Sequence, residues 1–71
     1  MGTITLKKGK EESLKRMHPW VFSGAIASTT GEFNEGDLVE VKSFNGESLG
    51  VGHYQIGSIA VRILSFTERK I

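Results

Sequence analysis

The chain predicts a small, mostly β domain: a partly open barrel of five or six strands with one short helix. Three observations point there. The chain has 71 residues, which allows one domain and a small core. It carries nine glycines against a single proline, a density of tight turns that suits short strands. Its apolar residues fall into short runs with period-2 alternation, separated by Gly- and Asn-containing turns.

The elements follow in chain order. Thr3-Ile4-Thr5-Leu6 alternates β-formers and predicts a first strand, ended by Gly9. Glu11 to Met17 predicts a helix of about two turns, with Glu11–Lys15 and Glu12–Arg16 as favourable i,i+4 pairs. Leu14 and Met17 are expected to anchor it, and Pro19 stops it by driving His18 from helical dihedrals. Trp20-Val21-Phe22 is a short apolar run closed by Ser23-Gly24, and Ala25 to Ala27 extends as a further strand. Ser28 to Gly36 is polar and predicts a loop anchored by Phe33. Leu38 to Ser43 and Leu49 to Tyr54 form a hairpin about Asn45-Gly46. Ile59 to Phe66 is the last and longest strand, followed by a charged tail from Thr67 to Ile71.

The hairpin register can be argued from its apolar pattern. A two-residue turn would set Lys42 opposite Leu49 and Glu40 opposite Val51, mixing charge with core. A three-residue loop, Phe44-Asn45-Gly46 with Gly46 left-handed, instead pairs Val41 with Leu49 and Val39 with Val51. In that register Gly50 and Gly52 fall on the opposite face and permit sharp coiling. The expected core is Leu6, Leu14, Trp20, Phe22, Val39, Val41, Val51, Ile63 and Phe66. Removing the Trp20 side chain from such a core would cost about 3–5 kcal/mol.

Composition excludes several classes of function. There is no cysteine, and two histidines alone do not make a zinc site, so no metal is expected. Gly50-Val51-Gly52 lacks the third glycine and the following helix of a dinucleotide fingerprint, and no P-loop is present. A Ser23, His18 or His53, and Asp37 triad would rest on composition alone. No catalytic residue is assigned, and the chain by itself is expected to be no enzyme. No apolar run approaches a membrane span, and no signal peptide opens the chain, so a cytoplasmic location is expected.

Charge is distributed unevenly. Residues 1–18 carry Lys7, Lys8, Lys10, Lys15 and Arg16 against Glu11 and Glu12, a net of +3. Residues 19–61 carry Lys42 against Glu32, Glu35, Asp37, Glu40 and Glu47, a net of −4. Residues 62–71 carry Arg62, Arg69 and Lys70 against Glu68, a net of +2. If the basic ends meet, they give one positive face able to neutralise phosphates. The segment Lys7 to Gly24 adds aromatics that can stack on unpaired bases and a Ser23-Gly24 turn that lets backbone approach a ligand. Bland readings stand beside these: Trp20 as a core residue, His18 as donor to a backbone carbonyl, and Arg62 as a surface arginine lying over apolar neighbours.

Lys8-Gly9-Lys10-Glu11, Leu14, Arg16 and the run His18-Pro19-Trp20-Val21-Phe22-Ser23-Gly24-Ala25-Ile26 resemble the N-terminal PUA domain of bacterial S-adenosylmethionine-dependent large-subunit rRNA methyltransferases, cytosine-C5 enzymes. Leu49-Gly50-Val51-Gly52, Tyr54, Ser58, Ile59 and Arg62 are similar to that family's barrel strands, so the likeness spans roughly residues 6–66. It implies a PUA-like pseudo-barrel that docks structured, ribosomal RNA. The RNA-binding residues it implies, taken with the charge pattern, are Lys10, Lys15, Arg16, His18, Ser23, Gly24 and Arg62. It further implies that residues 1–71 are one domain, the N-terminal fragment of a longer methyltransferase. The C-terminal catalytic domain of that protein would be a partner of this one and would hold the cofactor, with none bound here. The alternative is a small barrel used for protein–protein or interdomain contact, because fold alone does not settle function.

Overall fold

Six strands form a single sheet in the computed structural model, which describes residues 2–66. They are β1 (Gly2–Leu6), β2 (Trp20–Phe22), β3 (Ile26–Thr30), β4 (Leu38–Lys42), β5 (Ser48–Tyr54) and β6 (Ile59–Phe66). The order across the sheet is β2-β6-β5-β4-β1-β3. All neighbours pair antiparallel except β1 with β4, which run parallel. The two edge strands, β2 and β3, are joined by a single 3-10 turn, Ser23–Ala25. Three residues can link opposite edges of a six-stranded sheet only if the sheet curls until those edges approach. The result is a half-barrel with a seam. The turn is fastened on both sides of that seam, by Lys7 N–H to the Ala25 carbonyl at 2.8 Å and Ser23 N–H to the Ser58 carbonyl at 2.8 Å.

The inside of the curl is aliphatic. Ile4, Leu6, Val21, Val39, Val41, Leu49, Ala60, Val61 and Ile63 are buried from the strands, and Leu14 joins them from the helix. Trp20 and Phe22 are not part of this core. Val21 turns inward, so its two neighbours on the strand turn outward, and they are 47% and 54% exposed. Phe66 is half-buried against the core, and Val51 is half-buried on the outer side of β5.

The hairpin has the expected loop but a different register. Ser43 N–H bonds the Glu47 carbonyl at 2.8 Å, Gly46 has φ +88°, and the loop is Phe44-Asn45-Gly46. Just beyond it, a bulge between Val41 and Lys42 inserts Leu49 as an extra residue. Val41 therefore faces Gly50 and Val39 faces Gly52, not Leu49 and Val51. Both glycines lie on the inner face, the reverse of the sequence expectation. The cause is the close approach of β6. A Cβ at Gly50 would stand 2.8 Å from the Ser65 carbonyl oxygen, and one at Gly52 would overlap the Arg62 carbonyl. Glycine at these positions lets β6 fold across β5, and this tight coiling closes the half-barrel.

Two other elements differ from the sequence reading. The helix, α1, is only Glu12–Lys15. Met17 adopts φ +66° beyond it, Met17 N–H bonds the Leu14 carbonyl and His18 N–H bonds the Ser13 carbonyl, each at 3.0 Å. This is a Schellman ending with Met where glycine is usual. It turns Met17 outward, 64% exposed, so Leu14 alone anchors the helix. The second difference is β3, which runs through Ser28, Thr29 and Thr30 where a loop was expected. Those residues are exposed, and an edge strand with solvent on both faces shows no apolar alternation to betray it.

Candidate nucleic-acid interface

The seam of the half-barrel is not filled by the sheet, and two hollows open there side by side. The larger is a cleft of about 380 Å³. Leu6, Leu14, Val21 and Ala25 contribute its apolar lining, and Lys10, Ser13, Trp20, Phe22 and Gly24 complete it. The second, about 250 Å³, is lined by Ser13, His18, Pro19, Trp20 and Phe22. Ser13, Trp20 and Phe22 thus belong to both. The elements around the seam follow from local sequence. Leu14 seats α1 over the gap, the Schellman turn swings the chain back at Met17, and Pro19 starts β2 with its carbonyl accepting from Ile63 N–H.

The sequence-predicted residues distribute unevenly over this surface. Lys10 and Gly24 line the larger cleft, and His18 lines the smaller one. Lys15 and Arg16 are exposed on α1 and its C-terminal cap, and line neither hollow. Ser23 is exposed in the 3-10 turn between the hollows and β3, its amide already held by Ser58. Arg62 is exposed on β6, and its Cα lies directly opposite Trp20. Pairing of β2 with β6 therefore carries the basic segment before Trp20 toward Arg62. Arg69 lies outside the described residues.

Trp20 and Phe22 were expected in the core and are instead the principal aromatic walls of the site. Ser13 was not singled out, and His53 was named only as an alternative in a catalytic triad that was set aside. Ser13 carries no distinguishing pattern on a short helix. His53 takes its place from register, because its Cα lies opposite Arg62 on one side and Leu38 on the other.

Comparison with known proteins agrees with this architecture. The family of PUA-like domains matches residues 4–66. The chain belongs to that family. Among its relatives are the ribosomal RNA large subunit methyltransferase I of Pseudoalteromonas atlantica, 48% identical over 68 residues, and that of Escherichia coli strain UTI89, 42% identical over 64 residues. These alignments take in 94% and 89% of this chain but only 17% and 16% of the relatives. The chain thus spans about one-sixth of the length of the curated relatives it matches. A conserved PUA domain protein from Thermoplasma acidophilum superposes with a TM-score of 0.76 at 23% identity, over 96% of this chain and 50% of that one. A chain of an H/ACA RNP bound to a substrate RNA superposes with a TM-score of 0.78 at 16% identity, over 97% of this chain and 24% of that one. Both show the PUA fold: a curled, mostly β pseudo-barrel with one short helix. Among the described residues of this PUA-like domain, no helix is long and apolar enough to cross a membrane.

The relatives' methyltransferase chemistry implies a methyl-donor cofactor, and the described residues do not fit one. The candidate glycine pair, Gly50 and Gly52, sits mid-strand facing the β6 backbone, and no helix follows it. The glycine-rich cradle of a Rossmann-type nucleotide site is a strand-to-helix turn, which this pair does not form.

Proposed function

We propose that this PUA-like domain docks structured ribosomal RNA for a methyltransferase domain carried elsewhere in the same polypeptide, in the bacterial cytoplasm. In this reading it is the N-terminal part of an S-adenosylmethionine-dependent enzyme acting on cytosine C5, and the remaining chain holds cofactor and catalytic groups. One observation carries the proposal. Trp20 and Phe22, which a domain with so small a core would profit from burying, stand half-exposed around clefts that Lys10 and His18 also line. An aromatic wall beside cations suits a base stacked on a ring with its phosphate held outside. Lys15 and Arg16 on α1, Ser23 and Gly24 at the turn, and Arg62 across from Trp20 extend the contact.

Apart from Glu11 and Glu12 at the start of α1, the described acidic residues lie away from the seam, with Glu35, Asp37 and Glu40 on β4 and the loop before it, so RNA is kept off β4 and that loop. Three or four phosphate contacts give a salt slope of about −2 to −4 and weak, micromolar-range binding. The domain therefore orients RNA, and the attached domain adds selectivity.

The test is Lys15→Glu with Arg16→Glu, titrated against a large-subunit rRNA hairpin at several salt concentrations. Both side chains are exposed, so the fold should persist. Binding is expected to fall at least tenfold and the salt slope to shrink by about two. A double variant that binds as tightly as the wild type with the same slope would remove the helix from the RNA path. Interdomain contact would then be the better reading of the exposed aromatics.

A further inference from the structure

The sheet register assembles a row of which only Arg62 was among the RNA-binding residues read from the sequence. Across the outer face of three adjacent strands, Trp20 of β2 lies opposite Arg62 of β6, which lies opposite His53 of β5. Their inward neighbours, Val21, Val61, Ile63 and Gly52, are buried, so the row faces outward. Trp20 and Arg62 are exposed and His53 is half-buried. Two interstrand steps of about 4.8 Å make the row about 10 Å long, the reach of two or three nucleotides.

The His53 ring is held in a defined orientation. Its Nδ1 lies 2.8 Å from the Gly36 carbonyl oxygen. That carbonyl can only accept, so Nδ1 carries the proton, and in the neutral ring Nε2 presents a lone pair. Gly36 is itself fastened, its N–H bonding the Tyr54 carbonyl at 2.8 Å. In the neutral ring the acceptor at Nε2 thus stands on a row whose other members are a stacking surface and a guanidinium. Beyond His53 the row reaches Leu38, which follows Asp37, and Glu35 receives the Ile56 amide nearby. Carboxylates at that end repel phosphate, so the row is polar in one direction.

We infer that a single-stranded RNA segment leaves the Trp20 cleft and crosses the sheet along Arg62 to His53, where Nε2 accepts a hydrogen bond from a ribose 2′-hydroxyl. Arg62 neutralises the intervening phosphate. Because DNA lacks that hydroxyl, His53 gives the domain a preference for ribose. The inference rests on the RNA-docking reading and assigns it a path and a chemical discrimination.

The experiment measures anisotropy of a labelled single-stranded RNA decamer and its 2′-deoxy counterpart with the 71-residue chain and its variants. His53→Ala should weaken RNA binding about fivefold and leave DNA binding unchanged, the size of one lost hydrogen bond. His53→Gln, which keeps an acceptor, should restore part of the ribose preference. Arg62→Gln should weaken both nucleic acids about equally. If His53→Ala and Arg62→Gln both bind like the wild type while Lys10→Ala weakens binding, the sheet row is overturned and the cleft reading stands. Equal losses on RNA and DNA for His53→Ala would overturn the 2′-hydroxyl contact. A wild-type chain that binds neither oligonucleotide would overturn the row together with RNA docking itself.

Discussion

The β4–β5–β6 side of the barrel and the seam at α1 and β2 use their apolar residues in opposite ways. On the first, Val39, Val41, Val61 and Ile63 are closed over by the coil that Gly50 and Gly52 permit. On the second, two of the largest side chains in the molecule, Trp20 and Phe22, face outward, with Met17 and Pro19 exposed beside them. Small aliphatics and glycine close the first region, whereas at the seam two aromatic rings stand exposed. On the proposed reading, burial separates residues that hold the fold from residues offered to RNA.

The sharpest break of that comparison comes on the stable side. Gly52→Ala drives a methyl into the Arg62 carbonyl of β6, a backbone atom that cannot rotate away. Destabilisation of about 3 kcal/mol or more is expected, enough to unfold much of so small a domain. Urea denaturation followed by circular dichroism measures it, and a midpoint close to the wild type would show that β6 is free to shift.

A smaller effect of opposite sign is expected at the seam. Met17 holds φ +66° in a position that favours glycine, with its side chain exposed. Met17→Gly relieves that conformation, at the cost of a more flexible unfolded chain, for a net gain of about 0.5 kcal/mol. A rise in the urea midpoint checks it. A fall would mean that the Met17 side chain packs usefully despite its exposure.

Much of this architecture was legible in the chain. The alternation in Thr3–Leu6 and Ile59–Phe66, the Asn45-Gly46 turn and the stop at Pro19 located four of the strands and the helix. What escaped depends on long-range geometry. The bulge at Leu49 shifts the register by one residue, and only the position of β6 shows why the inner face of β5 must be glycine. A three-residue run such as Trp20-Val21-Phe22 has two possible faces, and hydrophobicity favours burying the two rings. The structure buries Val21 instead and turns both rings outward. At the site, the cationic segment and the Ser23-Gly24 turn could be read from composition. His53 could not, because its place beside Arg62 exists only once three strands are in register.

Trp20→Ala tests most directly the claim that the seam aromatics serve a ligand and not the fold. With the side chain about half-exposed, its removal should cost about 1–2 kcal/mol, well below the 3–5 kcal/mol of a buried tryptophan. Loss of its stacking on a base should lower affinity for a large-subunit rRNA hairpin about tenfold or more. Urea denaturation and an RNA titration of the same variant give both numbers. A folded protein with weakened RNA binding is the predicted result. An unfolded variant, or a folded one that binds RNA as the wild type does, would contradict the account.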